Sequence, residues 1–152
     1  MIKTRLIVKQ DHKEIISISE ALTGWFNEDA RKRAIPVDLR HQDGFVAITE
    51  GTVVGFITLF VAEGRLHIGW LGVRPDYHRR GIGSLLLACA EEFGRSHGLD
   101  EIATYTLGDG VDYKPYELTR DFYFKRGFKV YQKNKTDNPG CPEEIKIKKP
   151  IA

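Results

Sequence analysis

Pro75-Asp76-Tyr77-His78-Arg79-Arg80-Gly81-Ile82-Gly83-Ser84 joins a strand-like apolar run, residues 66–73, to a helix-like run, Leu85-Leu86-Leu87-Ala88-Cys89-Ala90. A glycine-rich turn that becomes a helix N-terminus is a ready anion seat. Its first backbone N–H groups have no partner inside the helix, and the helix dipole adds partial positive charge there. Gly81 and Gly83 let the backbone approach a phosphate closely, and Arg79 and Arg80 add full charges. The plain alternative is a basic turn with glycine at a tight bend, because short glycine motifs often recur by chance. The stretch reads as the pyrophosphate seat of a cofactor.

Three phosphate-binding loops compete for it. A nucleotide P-loop needs Gly, four residues, then Gly-Lys-Ser/Thr, and no such run exists. A dinucleotide fingerprint needs a third glycine three places after Gly83, where Leu86 stands. His78-Arg79-Arg80-Gly81-Ile82-Gly83 resembles the coenzyme A loop of the GNAT N-acetyltransferases, Gln/Arg-x-x-Gly-x-Gly/Ala, with His78 replacing the usual Gln or Arg. Phe122-Tyr123-Phe124-Lys125-Arg126-Gly127-Phe128 resembles that family's Phe-Tyr-x-Lys-x-Gly-Phe signature, and Ile68-Gly69-Trp70-Leu71-Gly72-Val73-Arg74-Pro75 is similar to its fourth strand. The three matches occur in the family's order and cover roughly residues 45–128.

The whole chain sets the outer bounds. At 152 residues it suits one domain, residues 1–152, with a sizeable core. Its 41% hydrophobic and 29% charged content are those of a globular protein. A net charge of +2 gives no general case for nucleic acid or membrane as a partner. Lys146, Lys148 and Lys149 read as a solvated edge strand. Neither Cys89 nor Cys141 has a metal-ligand pattern around it, and reduced thiols in a cytoplasm are the simple reading. The first residues lack a secretory apolar core, so a cytoplasmic protein is expected.

Along the chain, residues 2–9 read as a strand. Asp11 and Glu14 read as a capping box for a helix carrying Ile15, Ile18, Leu22 and Phe26. A short helix at 29–34 should stop before Pro36. Residues 45–49 and 53–61 form a hairpin around Glu50-Gly51-Thr52, and Gly64 separates the second from 66–73. The central helix runs over 82–97 to Gly98, with Leu85, Leu86, Ala90 and Phe93 toward a sheet. A strand at 101–106, a polar loop, a helix from Pro115 to Gly127, and strands at 128–132 and 145–149 complete the order, the last two flanking Asn138-Pro139-Gly140. The fold class is α/β: a mixed central sheet of about six to seven strands flanked by about four helices. The GNAT fold has that order.

The resemblance implies an N-acetyltransferase that moves an acetyl group from acetyl-CoA to a primary amine by direct attack in a ternary complex, without a metal. Arg79, Arg80, Gly81, Ile82, Gly83 and Ser84 would hold the pyrophosphate. Leu71, Gly72 and Val73 would meet the pantetheine arm with exposed backbone, and one N–H there would stabilise the developing oxyanion. A lysine-like amine, pKa ~10.4, must lose a proton before attack. His67 falls where relatives carry a catalytic glutamate, and imidazole can serve as base. By pleat alternation His67, Gly69 and Leu71 share a face, and Glu50 and Glu63 are weaker candidates at strand ends. Tyr123 matches the tyrosine that protonates the leaving thiolate; as a plain core aromatic it would serve packing alone. Tyr116 and Thr119 depart from the Asn and Ala common in relatives. Residues 24–29, 108–113 and 133–143 should border the acceptor cleft, with Glu28, Asp29, Asp109 and Asp112 as acidic candidates and Trp25 and Tyr113 as aromatic ones. A non-catalytic acyl-CoA-binding module is the alternative. A homodimer fits the family, although the sequence shows no interface.

Overall fold

A computed structural model describes residues 1–108, 112–137, 139 and 142–152. The elements run β1 (Lys3–Leu6), α1 (His12–Glu20), a π-helical turn (Ala30–Ala34) leading into α2 (Ile35–Asp38), β2 (Asp43–Thr49), β3 (Thr52–Ala62), β4 (Arg65–Val73), α3 (Ile82–Ser96), β5 (Glu101–Leu107), α4 (Lys114–Lys125), β6 (Lys129–Lys135) and β7 (Glu143–Pro150). Among the described residues seven strands form one sheet in the order β1-β2-β3-β4-β5-β7-β6. Every neighbouring pair is antiparallel except β4 and β5.

The first four strands form a meander because the sequence supplies its turns. Glu50-Gly51 and Glu63-Gly64 all have positive φ, the type I′ geometry that matches strand twist. Two apolar clusters cover the sheet. One gathers Ile57, Leu66, Ile68, Ile102 and Ile147 against Ile82, Leu86, Leu87 and Ala90 of α3 and Tyr123 of α4. The other gathers Val46, Val53 and Phe56 against Ile15 and Ile18 of α1, Leu22 and Ile35. A fully buried Leu or Ile side chain contributes roughly 1.5–3 kcal/mol, so these clusters dominate the fold's stability. Leu85 is exposed; Leu87 takes the core position expected of it.

Three local expectations are corrected. The helix at 30–38 continues through Pro36, because proline sits in the first turn of α2, where its missing N–H costs nothing. The Asp11–Glu14 capping box does not form. Asp11 is buried, accepts the Val8 N–H at 2.8 Å and takes a two-point ion pair from Arg5 at 2.7 and 2.9 Å, while Glu14 accepts the Val53 N–H. Arg5 holds the Asp11 carboxyl below its usual range, chiefly through that hydrogen bond. Finally, β7 is no edge strand: it lies between β5 and β6, with Lys148 paired to Glu101 and Lys149 to Glu91.

The sheet is two blocks joined at a narrow seam. β4 and β5 pair only at Leu66↔Ile102 and His67↔Ala103. Past that point the strands diverge, and a split opens in the middle of the sheet. At the seam Arg65 on β4 and Lys148 on β7 both bind Glu101 on β5, and both cations lie over the Tyr131 ring of β6.

Candidate active site

The loop after β4 folds as the sequence suggests. Pro75–Tyr77 make one 3-10 turn, Arg79 and Gly81 take positive φ, and α3 begins at Ile82 with Gly81 as its N-cap in the left-handed region. No heavy atom lies within 4 Å of a Cβ built on Gly81, so conformation alone, rather than crowding, calls for glycine there. His78 donates Nε2–H to the Val73 carbonyl at 2.7 Å and meets the Trp25 ring edge-on. It therefore pins the loop to the end of β4.

Charge gathers at this helix end. Ser84, in the first turn of α3, accepts Nε–H from Arg126 at 2.9 Å and a second, closer bond from Nη2. Arg126 also donates to the Phe122 carbonyl and lies 3.9 Å over the Phe122 ring. Among the described residues Arg79, Arg80 and Arg126 form no ion pair with a carboxylate. Cations at a helix N-terminus oppose the dipole, so an anion of more than one charge would relieve the arrangement. In the sequence Arg126 is one residue of the 122–128 motif; only the packing of α4 against α3 gives it a role.

The split supplies the second half of the site. β4 carries an extra residue against β3, with Gly69 and Trp70 facing Thr58, whose hydroxyl accepts the Trp70 N–H at 2.8 Å. This bulge overturns the simple alternation. Leu66, Ile68, Leu71 and Val73 join the cluster under α3. Trp70 joins the cluster under α1, and a Cβ on Gly72 would touch Phe56 and Leu22 there. His67 and Leu71 thus lie on opposite faces. Trp70 and Arg74 turn their N–H groups toward β3, so the intervening Leu71 and Val73 turn theirs toward the split.

Tyr123 is 5% exposed and packs edge-on against Phe122 and Phe128. Burial pushes its phenol well above its usual pKa, partly opposed by a hydrogen bond with Thr104. The Thr104 hydroxyl donates to the Ile68 carbonyl at 3.3 Å, at the point where β4 leaves β5. His67 donates Nε2–H to the Ala62 carbonyl at 2.9 Å and stacks on Phe60, so in the neutral ring the acceptor nitrogen is Nδ1. Glu63 stands 4.0 Å away in the hairpin turn.

The start of α4 holds the segment after α1. Tyr113 donates to the Gly24 carbonyl at 2.7 Å and Tyr116 to the Trp25 carbonyl at 2.6 Å. Asp29 is tied to Arg33, which leaves Glu28 and Asp112 as the exposed acids near this edge. Asp109, Asn138, Gly140 and Cys141 lie outside the described residues. Among the described residues no cluster of metal ligands is present, and no helix is long and apolar enough to cross a membrane.

The profile of the Acetyltransferase (GNAT) family matches residues 13–128. A spermidine N(1)-acetyltransferase from Thermoplasma acidophilum is 29% identical over 91 residues, 60% of this chain and 53% of that protein. The chain spans about half of that relative's length and 20% of a second curated relative's. A crystal structure of a GNAT-family protein from Desulfovibrio desulfuricans superposes with a TM-score of 0.84 at 21% identity, covering 100% of both chains. The PaiA N-acetyltransferase from Thermoplasma acidophilum, solved in complex with coenzyme A, gives 0.73 at 21% identity over 99% of each chain. At such identities the two structures speak to the fold.

Proposed function

The chain belongs to the GNAT acetyltransferase family, and from that premise we propose that residues 1–152 form a single domain that transfers an acetyl group from acetyl-CoA to a primary amine. The observation that carries this reading is the meeting of two features. A cation-rich helix N-terminus, without carboxylate partners among the described residues, stands at the end of the strand whose free edge lines the split.

The loop Arg79, Arg80, Gly81, Ile82, Gly83 and Ser84 takes the pyrophosphate of acetyl-CoA, chiefly through backbone N–H groups at the start of α3. Because Ser84 already accepts two bonds from Arg126, its role is to hold that guanidinium at the seat. The pantetheine arm lies along Leu71, Gly72 and Val73, where two N–H groups face the split. One of them stabilises negative charge developing on the thioester oxygen, usually the major electrostatic contribution to acyl transfer.

The acceptor nitrogen attacks directly: its N–C bond forms, the C–S bond breaks, the amine proton goes to a base and the thiolate takes a proton. His67 is our candidate base through Nδ1, and it shares a face with Trp70 beside Phe26 and the 24–29 segment. Tyr123 is our candidate acid. A phenol is protonated at neutral pH, as a proton donor requires, and burial, by raising its pKa, makes this one a weaker acid than a free tyrosine. Cys89, a free thiol packed near Thr4, suits a reducing cytoplasm.

The test is free-thiol release from acetyl-CoA with polyamines, amino acids, aminoglycosides and Lys- or N-terminal peptides, alongside calorimetric acetyl-CoA binding. Amine-dependent release is the expected result. Binding without turnover for any amine would make the chain an acyl-CoA-binding module, and absence of binding would remove the seat itself.

A further inference from the structure

The buried face of α4 carries an unusual pair: Tyr123 and, one turn earlier, Arg120. Three residues apart on a helix, the two side chains share a face. Arg120 is only 9% exposed, a position where an apolar side chain would be the stable choice. Its Nη1 donates to the Leu107 carbonyl at 3.0 Å and the Gly108 carbonyl at 3.1 Å. Among the described residues no carboxylate forms an ion pair with it, although Glu143 packs against Gly108 nearby. Among the described residues this buried cation meets only neutral oxygens, which compensate it poorly, because charge in a low-dielectric setting calls for an opposite charge.

The guanidinium caps the C-terminal end of β5, at the rim of the split. Gly108 gives its N–H to Glu143 on β7, so the preceding residue, Leu107, turns its carbonyl to the opposite edge of β5, the one β4 has left. Carried on from the Leu66↔Ile102 pair with one residue allowed for the bulge, Leu107 lies across the split from Gly72. Arg120 Nε and Nη2 have no acceptor among the described residues. They are not sealed either: Gln42 Oε1 is the one fully enclosed, unpartnered side-chain atom there. Among the described residues two donors of a planar fork therefore remain without an acceptor on the β5 bank, opposite the strand edge proposed to hold the thioester.

We propose that Arg120 recognises a carboxylate on the acyl acceptor, so that the substrate is an amine bearing a carboxylate close to its reacting nitrogen, as in an amino acid. This rests on the transferase reading above and narrows it. A guanidinium fork binds a carboxylate through parallel hydrogen bonds, and the same positive charge repels a polyamine.

The experiment compares matched acceptors on the full chain by thiol release: phenylalanine against phenethylamine, and lysine against cadaverine, with spermidine as the polycationic competitor. Wild type, Arg120→Met and Arg120→Lys are each assayed, with melting curves. The expected result is a wild-type preference in kcat/KM for the carboxylate-bearing member of about ten- to a hundredfold, the range of a charge-assisted pair. Arg120→Met should erase that preference and leave the acetyl-CoA KM unchanged, and Arg120→Lys should restore part of it. Equal rates within each pair, or a preference for cadaverine and spermidine, overturn the proposal and leave the transferase standing. A raised acetyl-CoA KM with the acceptor preference intact also overturns it and assigns Arg120 to the cofactor arm. If no amine of either kind releases thiol, the transferase reading fails first. Should Arg120→Met not fold, the wild-type preference decides by itself.

Discussion

Replacing Gly81 separates backbone conformation from bulk at the anion seat. Its φ of 77° and ψ of 10° are left-handed, and a Cβ there would meet no protein atom within 4 Å. An L-residue forced into that conformation costs roughly 1–2 kcal/mol, least for Asn, whose side chain tolerates it. If the loop escapes the cost by relaxing, the binding-competent conformer falls by about five- to thirtyfold, and the apparent Kd for acetyl-CoA rises by the same factor. If the rest of the fold holds the loop in place, the cost appears instead as a Tm lower by about 2–4 °C per kcal/mol. Calorimetric titration and thermal melts of Gly81→Asn, Gly81→Ala and Gly81→Val measure both. The expected order of affinity and stability is Gly, Asn, Ala, Val. A steric clash with the ligand would instead place the smaller Ala ahead of Asn, which would refute the backbone argument. Wild-type Kd and Tm in Gly81→Val would remove the seat altogether.

Arg126→Met should raise the acetyl-CoA KM about tenfold with little change in kcat, and flatten its salt dependence, because it removes a charge at the seat; an unchanged KM would leave Arg126 as a clamp between α4 and α3. Tyr123→Phe should lower kcat with acetyl-CoA affinity retained, and equal turnover would return Tyr123 to the core. In His67→Ala, loss of the acid limb of the rate profile is expected if Nδ1 is the base; an identical profile would leave His67 with its hairpin bond alone. Arg5 holds the Asp11 carboxyl below its unfolded value of about 3.9. Its stabilising contribution is therefore full above that value and lost as pH falls through the lower folded value. Urea midpoints of wild type and Asp11→Asn should accordingly differ at neutral pH and converge in acid, and a gap that stays constant would contradict the assignment.

What the sequence by itself determined lies close along the chain. The Glu50-Gly51 and Glu63-Gly64 turns, the glycine loop before α3, the Gly98 stop and the period of α3 each depend on neighbours within a few residues, so composition and spacing suffice. The order of elements followed, and with it the likeness to a family later matched over 13–128. Tertiary structure decided what depends on distant partners. β7 enters between β5 and β6, pairing with β5 along its whole length while β4 holds only two residues of the other edge. The Gly69–Trp70 bulge reverses which residues of β4 face α3, since its extra residue is defined only against Thr58 of another strand. Arg126 acquires a place at the anion seat, and Arg120 a place at the end of β5, only when α4 packs on α3 and β5. In sequence each is one more charge on a helix. Burial and the geometry of their acceptors give them meaning, and those exist only in the folded chain.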